Sequence, residues 1–234
     1  MSTPDKPEPI VLFDLPSKEP CSTWSFNPWK TRLLLNYKGL DYRTDVPNPP
    51  DPHSETPYTI PTIRLPNNNY IMDSRRIANA LEALYPEPPL HLDSPVLASL
   101  ETIIPRIIQA LAPLFMPRVA YRLLPERSSA YFVETRSKWY GDLLELEKEK
   151  GGDVAWRATE EDLKEITRML KEKPEGPFFL GKVSYADFVW GSVLIFVKRC
   201  GEDALEGLLK TTGDESVHLA LLEGLKPWTE RNDH

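Results

Sequence analysis

Two short stretches of this sequence together describe a cradle for a small peptide: Ile60-Pro61, which opens the apolar run Thr62-Ile63-Arg64-Leu65, and Asp73-Ser74, which opens a helix. An X-Pro bond tolerates the cis form far better than other peptide bonds, and a cis bond ahead of a strand turns the amide and carbonyl of Ile60 toward a ligand. Asp73 and Ser74 fall where a helix leaves its first N–H groups unpaired. A carboxylate can be held there by Ser74 and the helix end while Asp73 takes an ammonium. A ligand with an extended backbone, an α-amino group and an α-carboxylate would use all of these groups. The plainer alternatives are an ordinary helix start at Asp73-Ser74 and a cis Pro61 that serves folding alone.

The elements that must position these residues change texture once, near Pro86. Before it the pattern reads strand (Ile10 to Leu15), loop (Pro16 to Phe26), helix (about Pro28 to Lys38, ended by Gly39) and strand (Asp41 to Val46). A strand-helix-strand unit of this size implies a parallel crossover. The stretch Pro47 to Pro57 reads as a stiff irregular loop. Asn67-Asn68-Asn69 suits a hairpin turn between Thr62-Leu65 and Tyr70-Met72, since Asn tolerates left-handed backbone. A helix over Asp73 to Tyr85 closes the unit, with Ile77, Leu81 and Leu84 facing inward.

After it the chain reads as helices alone. Residues 87–96, rich in proline, form a linker between a first domain over 1–86 and an all-helical domain over 97–234. Leu97 to about Arg122 is strongly apolar but carries Pro105, Pro113 and Pro117, which predicts a long helix, kinked or broken. Arg127 to Lys150 reads as one helix through Tyr131, Trp139, Leu143 and Leu146, ending at Gly151-Gly152. Thr159-x-x-Asp162 and Ser184-x-x-Asp187 both have the form of capping boxes. Two short helices near Asp203-Leu209 and Val217-Leu225 finish the chain.

Composition narrows the functional classes. The net charge of -7 argues against a nucleic-acid or anionic-membrane partner, and no basic block offsets it. Cys21 and Cys200 are far apart, and no signal-peptide-like segment or long apolar run is present, so a soluble, cytoplasmic protein without structural disulfides is expected. His53, His91, His218 and His234 lack ligand spacing, and no metal site is expected.

Taken together, the small strand-helix domain with Ile60-Pro61 and Asp73-Ser74, the proline linker, the helical domain and the box Ser184-Tyr185-Ala186-Asp187 resemble a cytosolic glutathione transferase over nearly the whole chain. The segment Trp24-Ser25-Phe26-Asn27-Pro28-Trp29-Lys30-Thr31-Arg32, after the long loop through Pro16-Ser17-Lys18, resembles the fungal transferases related to bacterial lignin β-etherases, with Phe26 where that pattern usually has proline. The resemblance implies an N-terminal thioredoxin-like domain, a C-terminal all-helical domain and glutathione as co-substrate, bound through Ser25, Ile60, Pro61, Asp73 and Ser74. It implies catalysis by Ser25: the hydroxyl donates to the glutathione sulfur while the first helix's positive end stabilises the thiolate. A two-fold homodimer is implied as well.

Each assignment has a rival. The rival for Ser25 is a plain N-cap role, with thiol activation favoured by the surrounding match; Ser22 and Cys21 are neighbouring candidates, and Cys21 would bring mixed-disulfide chemistry instead of conjugation. The electrophile pocket is placed between the domains, with Trp24, Phe26, Phe115, Met116 and Tyr121 as walls. Arg118 and Arg122 either meet an acidic or phenolic substrate or are solvated, and Lys30 and Arg32 either contact glutathione or pair with surface carboxylates, the second being favoured for Lys30. The leading activity is addition of glutathione to hydrophobic, aromatic electrophiles. The alternatives are glutathione-dependent β-ether cleavage, isomerisation or tailoring of a secondary metabolite, and a ligand-binding protein without turnover.

Overall fold

Four consecutive apolar residues, Ile10–Phe13, form strand β1 with every side chain buried, the pattern of a central strand covered on both faces. The computed structural model describes residues 8–46, 59–173 and 175–233; the expected proline loop over 47–57 lies outside them. β1 runs parallel to β2 (Tyr42–Asp45), with Leu12 opposite Thr44, and antiparallel to β3 (Thr62–Arg64), with Leu12 opposite Ile63. β4 (Tyr70–Met72) completes a four-stranded sheet of order β2-β1-β3-β4. Asn68, at φ 64°, takes the left-handed turn position of the β3–β4 hairpin.

Helix α1 (Phe26–Tyr37) joins β1 to β2 and starts two residues earlier than its pattern implied. Pro28 falls in its first turn, where the missing N–H leaves no helical bond unmade. Gly39, at φ 63°, donates its N–H to Asn36 O at 3.1 Å and ends the helix. In α2 (Ser74–Leu84) Ile77, Ala78 and Leu81 are buried, but Leu84 is 56% exposed and corrects the predicted inner face. The last turn of α2 runs past the core, and its neighbours from Ala83 to Glu87 are exposed too.

The expected long apolar helix is broken. α3 (Pro95–Ala110) and α4 (Ala112–Arg118), which runs on into a π-type turn at Val119–Leu123, meet at Leu111 with a 69° bend. Pro113 forces the break, because its ring would clash with the carbonyl four residues back; Pro105 stays inside α3. Among the described residues no single helix is long and apolar enough to cross a membrane.

The expected single helix over 127–150 is two, α5 (Glu126–Tyr140) and α6 (Leu143–Lys150). Gly141, at φ 73°, stops the first, and Asp142 caps the second by accepting from Leu144 N at 2.9 Å and Glu145 N at 3.0 Å. α7 (Gly152–Lys171) runs straight through the predicted Thr159 cap, whose hydroxyl donates to Trp156 O inside the helix. That helix buries Ala155, Leu163, Ile166 and Leu170, so packing overrides the local capping signal.

The Ser184 box holds. Asp187 accepts from Ser184 N and Ser184 Oγ, both at 2.7 Å, and from Phe179 N at 2.9 Å, at the head of α8 (Tyr185–Cys200). α8 is buried almost throughout and packs on α1 through Phe188 against Tyr37, ring centroids 5.4 Å apart. α9 (Glu202–Thr211) and α10 (Glu215–Leu225) close the helical layer.

α10 carries the buried His218, whose Nδ1 accepts from Trp190 Nε1 at 2.9 Å, so the ring proton sits on Nε2 and faces Thr167 Oγ1 at 2.9 Å. Burial pushes its pKa down from 6.5 to about 4. The unfolded chain therefore binds a proton between these values that the folded one refuses, and stability present above pH 6.5 is lost as pH falls toward 4. Urea unfolding at pH 7 and pH 4 should show wild type losing up to about 3 kcal/mol more than His218→Gln over that interval; parallel losses would remove His218 from the account.

Candidate functional site

The loop between β1 and α1 is built on a buried ion pair. Arg32 Nη2 lies 3.3 Å from Asp14 Oδ2, both side chains fully buried, and also donates to Thr44 Oγ1 at 3.0 Å. The same Asp14 oxygen accepts from Thr23 Oγ1 at 2.7 Å, and Trp29 Nε1 donates to Thr23 O at 3.1 Å. Among the described residues Arg32 Nε has no hydrogen-bond partner. From the other side, Asn232 O accepts from Thr23 N at 2.9 Å, Ser22 bridges to Asp233, and the Arg231 guanidinium stacks 3.8 Å from the Tyr42 ring centre. Ser25 leaves this clamped loop at φ -77°, ψ 137° as the N-cap of α1.

The Ser25 hydroxyl caps nothing: it makes no hydrogen bond to the helix, although its carbonyl accepts from Trp29 N at 3.2 Å. It is nearly buried and opens on a cavity of about 160 Å³ lined also by Trp24, Phe26, Phe115, Met116 and Phe196. Of the neighbouring candidates, Ser22 lies outside this lining. Cys21 is exposed, donates to Glu19 Oε1 at 3.4 Å and has its pKa raised by that hydrogen bond, the wrong direction for a thiolate.

Ile60–Pro61 is cis, and the two predicted peptide-binding points touch: Asp73 N donates to Pro61 O at 3.3 Å. Asp73 sits at φ 75°, ψ 125°, a backbone conformation that costs a non-glycine residue about 1–3 kcal/mol and that is typical of ligand clamps. Its Oδ1 accepts from Arg75 N at 2.9 Å and Arg76 N at 3.0 Å. This corrects the expectation that the helix end is free for a ligand carboxylate. Asp73 caps two of the amides itself, which leaves the Ser74 amide and hydroxyl as donors and Asp73 Oδ2 as acceptor. Ser74 O accepts from the Tyr185 hydroxyl at 3.0 Å, tying this corner to α8.

Asp73 and Ser74 open on a larger cleft of about 600 Å³ between α1, the head of α2 and α3, walled by Leu100, Ile104 and Ile108. It shares Phe26, Ile108 and Met116 with the Ser25 cavity, so the two adjoin. Tyr121 lines neither: it is 43% exposed on the π-type turn, where its carbonyl accepts from Lys18 Nζ at 2.8 Å. The prolines announce the bend at Leu111, but its direction, which turns the segment beyond Phe115 and Met116 away, is set by packing. Arg118 and Arg122 are spent elsewhere, Arg118 on Glu147 at 2.8 Å and Asp203 at 2.7 Å, Arg122 on Cys200 O at 3.1 Å.

Lys30 corrects the favoured reading of a surface ion pair, since it forms none with any described carboxylate. It lines the cleft with its Nζ donating to Asn27 Oδ1 at 2.9 Å and lying 5.1 Å from the Phe26 ring centre. Burial pushes its pKa down to about 8 against the attraction of Asp73 and Glu101. Its four-residue spacing from Phe26 was the available signal. Phe196, from α8, was legible only as core. Among the described residues no group of three or more His, Cys, Asp or Glu could hold a metal.

The comparisons with known proteins agree across both halves of the chain. The glutathione S-transferase N-terminal domain model matches residues 24–84 and the C-terminal domain model residues 98–217. The glutathione S-transferase-like protein ustS of Aspergillus flavus is 31% identical over 230 residues, covering 84% of this chain and 83% of its own. A glutathione S-transferase of Ceriporiopsis subvermispora, solved in complex with glutathione, superposes with a TM-score of 0.80 at 30% identity over 97% of this chain and 100% of that one. A glutathione transferase of Phanerochaete chrysosporium gives 0.79 at 27% identity over 95% and 98%.

If the Asp14–Arg32 pair holds the loop, Arg32→Met strands a buried carboxylate and should cost about 3–5 kcal/mol in urea unfolding. Asp14→Asn with Arg32→Met should recover part of that loss, and equal losses would show that the charge pairing is not what matters.

Proposed function

The chain belongs to the glutathione S-transferase family, and on that premise we propose that it binds glutathione between Ile60-Pro61 and Asp73-Ser74, holds its thiol as thiolate at Ser25 and adds it to hydrophobic, aromatic electrophiles. Residues 1–86 form the glutathione-binding half and 97–234 the helical half that covers the electrophile, joined by 87–96.

The observation that carries this reading is the Ser25 hydroxyl: nearly buried, at the positive end of α1, without a capping bond, and facing a cavity. A free thiol ionises near pH 8.5 and is a poor nucleophile at neutral pH. Lowering that pKa by two units takes about 2.7 kcal/mol. One hydrogen bond to a charged sulfur is worth about 1.5–3 kcal/mol, and the helix end adds to it. Ser25 thus donates a hydrogen bond and does not itself attack. Asp73 Oδ2 takes the ligand's ammonium, and the Ser74 amide and hydroxyl take its α-carboxylate. Ile60, whose backbone makes no hydrogen bond among the described residues, pairs with the ligand's peptide unit. Trp24, Phe26, Phe115 and Met116 wall the electrophile.

The reading includes a homodimer. α5 buries none of its residues and leaves Tyr131 66% and Trp139 76% exposed, apolar surface that a second subunit would cover. Sedimentation as a monomer at micromolar concentration would overturn that part.

The test of the activity is a titration of glutathione bound to the protein, followed by thiolate absorbance in the near ultraviolet. The bound thiol should ionise well below 8.5. Ser25→Ala should raise it and lower kcat by about tenfold to a hundredfold. Binding with an unshifted thiol in wild type would leave a ligand-binding protein without turnover.

A further inference from the structure

We propose that Lys30 contacts the developing oxyanion when the electrophile's reacting carbon is conjugated to a carbonyl, and that this one residue sets the preference of the site for such acceptors over alkyl halides. The proposal rests on the thiolate reading of Ser25. Lys30 follows Ser25 by five residues on α1, about 7.5 Å of helical rise, the scale of a short conjugated system with a contact at each end.

Three observations converge on this ammonium. Among the described residues its one hydrogen bond is to Asn27 Oδ1 at 2.9 Å and it forms no ion pair, so two of its N–H groups remain for the cleft. Phe26, Leu100, Ile104, Ile108 and Met116 share the cleft lining with it, and the two carboxylates on that lining, Asp73 and Glu101, attract it without closing an ion pair, so its burial is costly. The other cation on that lining, Arg75, is already engaged with Leu92 O at 2.8 Å and Glu101 at 3.4 Å. The cleft therefore presents one free positive group beside an apolar slot, and the slot adjoins the Ser25 cavity through Phe26, Ile108 and Met116.

The chemistry follows from that arrangement. The thiolate sulfur bonds to the β-carbon of the acceptor, the C=C electron pair shifts toward the α-carbon, and negative charge accumulates on the carbonyl oxygen. Lys30 donates a charge-assisted hydrogen bond to that oxygen without giving up its proton, a stabilisation greater in the transition state than in the ground state. The α-carbon then takes a proton from solvent, replacing the one the thiol released on ionising. An alkyl iodide makes no such demand, because its charge leaves with iodide.

The experiment compares kcat/KM for trans-4-phenyl-3-buten-2-one and for 1-iodohexane in wild type, Lys30→Met and Lys30→Gln, with Lys30→Arg as the rescue. Loss of one charged hydrogen bond should lower the enone rate by about tenfold to a hundredfold while the iodide rate falls far less, and arginine should restore most of the ratio. The thiol of bound glutathione should titrate as in wild type in all variants, and thermal unfolding should show each folded. Equal losses for the two electrophiles with an intact low-pKa thiol overturn the Lys30 assignment alone. Weakened glutathione binding in Lys30→Met and Lys30→Gln would place the ammonium in the glutathione subsite and overturn it too. An unshifted thiol in wild type would instead sink the Ser25 reading, and this one with it.

Discussion

The buried contact between Arg32 and Asp14 is the constraint on which the site depends. A guanidinium and a carboxylate at zero exposure are tolerable only as a pair, and this pair sits where the last residue of the β1 line, the loop hydroxyl of Thr23 and the middle of α1 come together. It fixes the distance between sheet and helix and with it the exit of Ser25. The tail around Arg231 and Asn232 closes the same loop from outside, so the residues before α1 are held on two sides although they belong to no regular element.

A second set of contacts decides that the loop faces a cleft at all. α8 lies against α1, its Tyr185 hydroxyl reaches the carbonyl of Ser74, and its Phe196 closes the cavity that Ser25 enters. Phe115 meets Phe196 at 4.9 Å between ring centres, and Phe26 meets it at 5.5 Å. One aromatic cluster thus joins the start of α1 to α4 and α8. The bend at Leu111 completes the wall, since it lets α3 flank one cavity while α4 roofs the other.

Electrostatics then divides the cleft. The end near α2 holds Asp73, with one carboxylate oxygen committed to helix amides, and the Lys30 ammonium shares the cleft with it without forming an ion pair. Such a division suits a ligand with a zwitterionic end and a reactive, oxygen-bearing partner beside it. Arg118, a buried cation of the helical layer, is by contrast paired with Glu147 and Asp203.

What the amino-acid order determined by itself was whatever short-range chemistry fixes. The Asn68 turn, the Gly39 stop, the Ser184 cap and the cis Ile60–Pro61 each depend on a few adjacent residues, and all of them were legible. Long-range packing decided the rest. Thr159 had the form of a cap and lies mid-helix, because the buried stripe of α7 outweighs one capping bond. Leu84 had helical spacing and is exposed, because the core ends before the helix does. Tyr121 stood five residues from Met116 and still misses the cleft, because the bend and π-type turn rotate it out. Lys30 looked like a surface charge until α3 was brought over it. A side chain's period names the face of its own helix, but which element covers that face is set by contacts between segments tens to hundreds of residues apart, and only the tertiary structure contains those contacts.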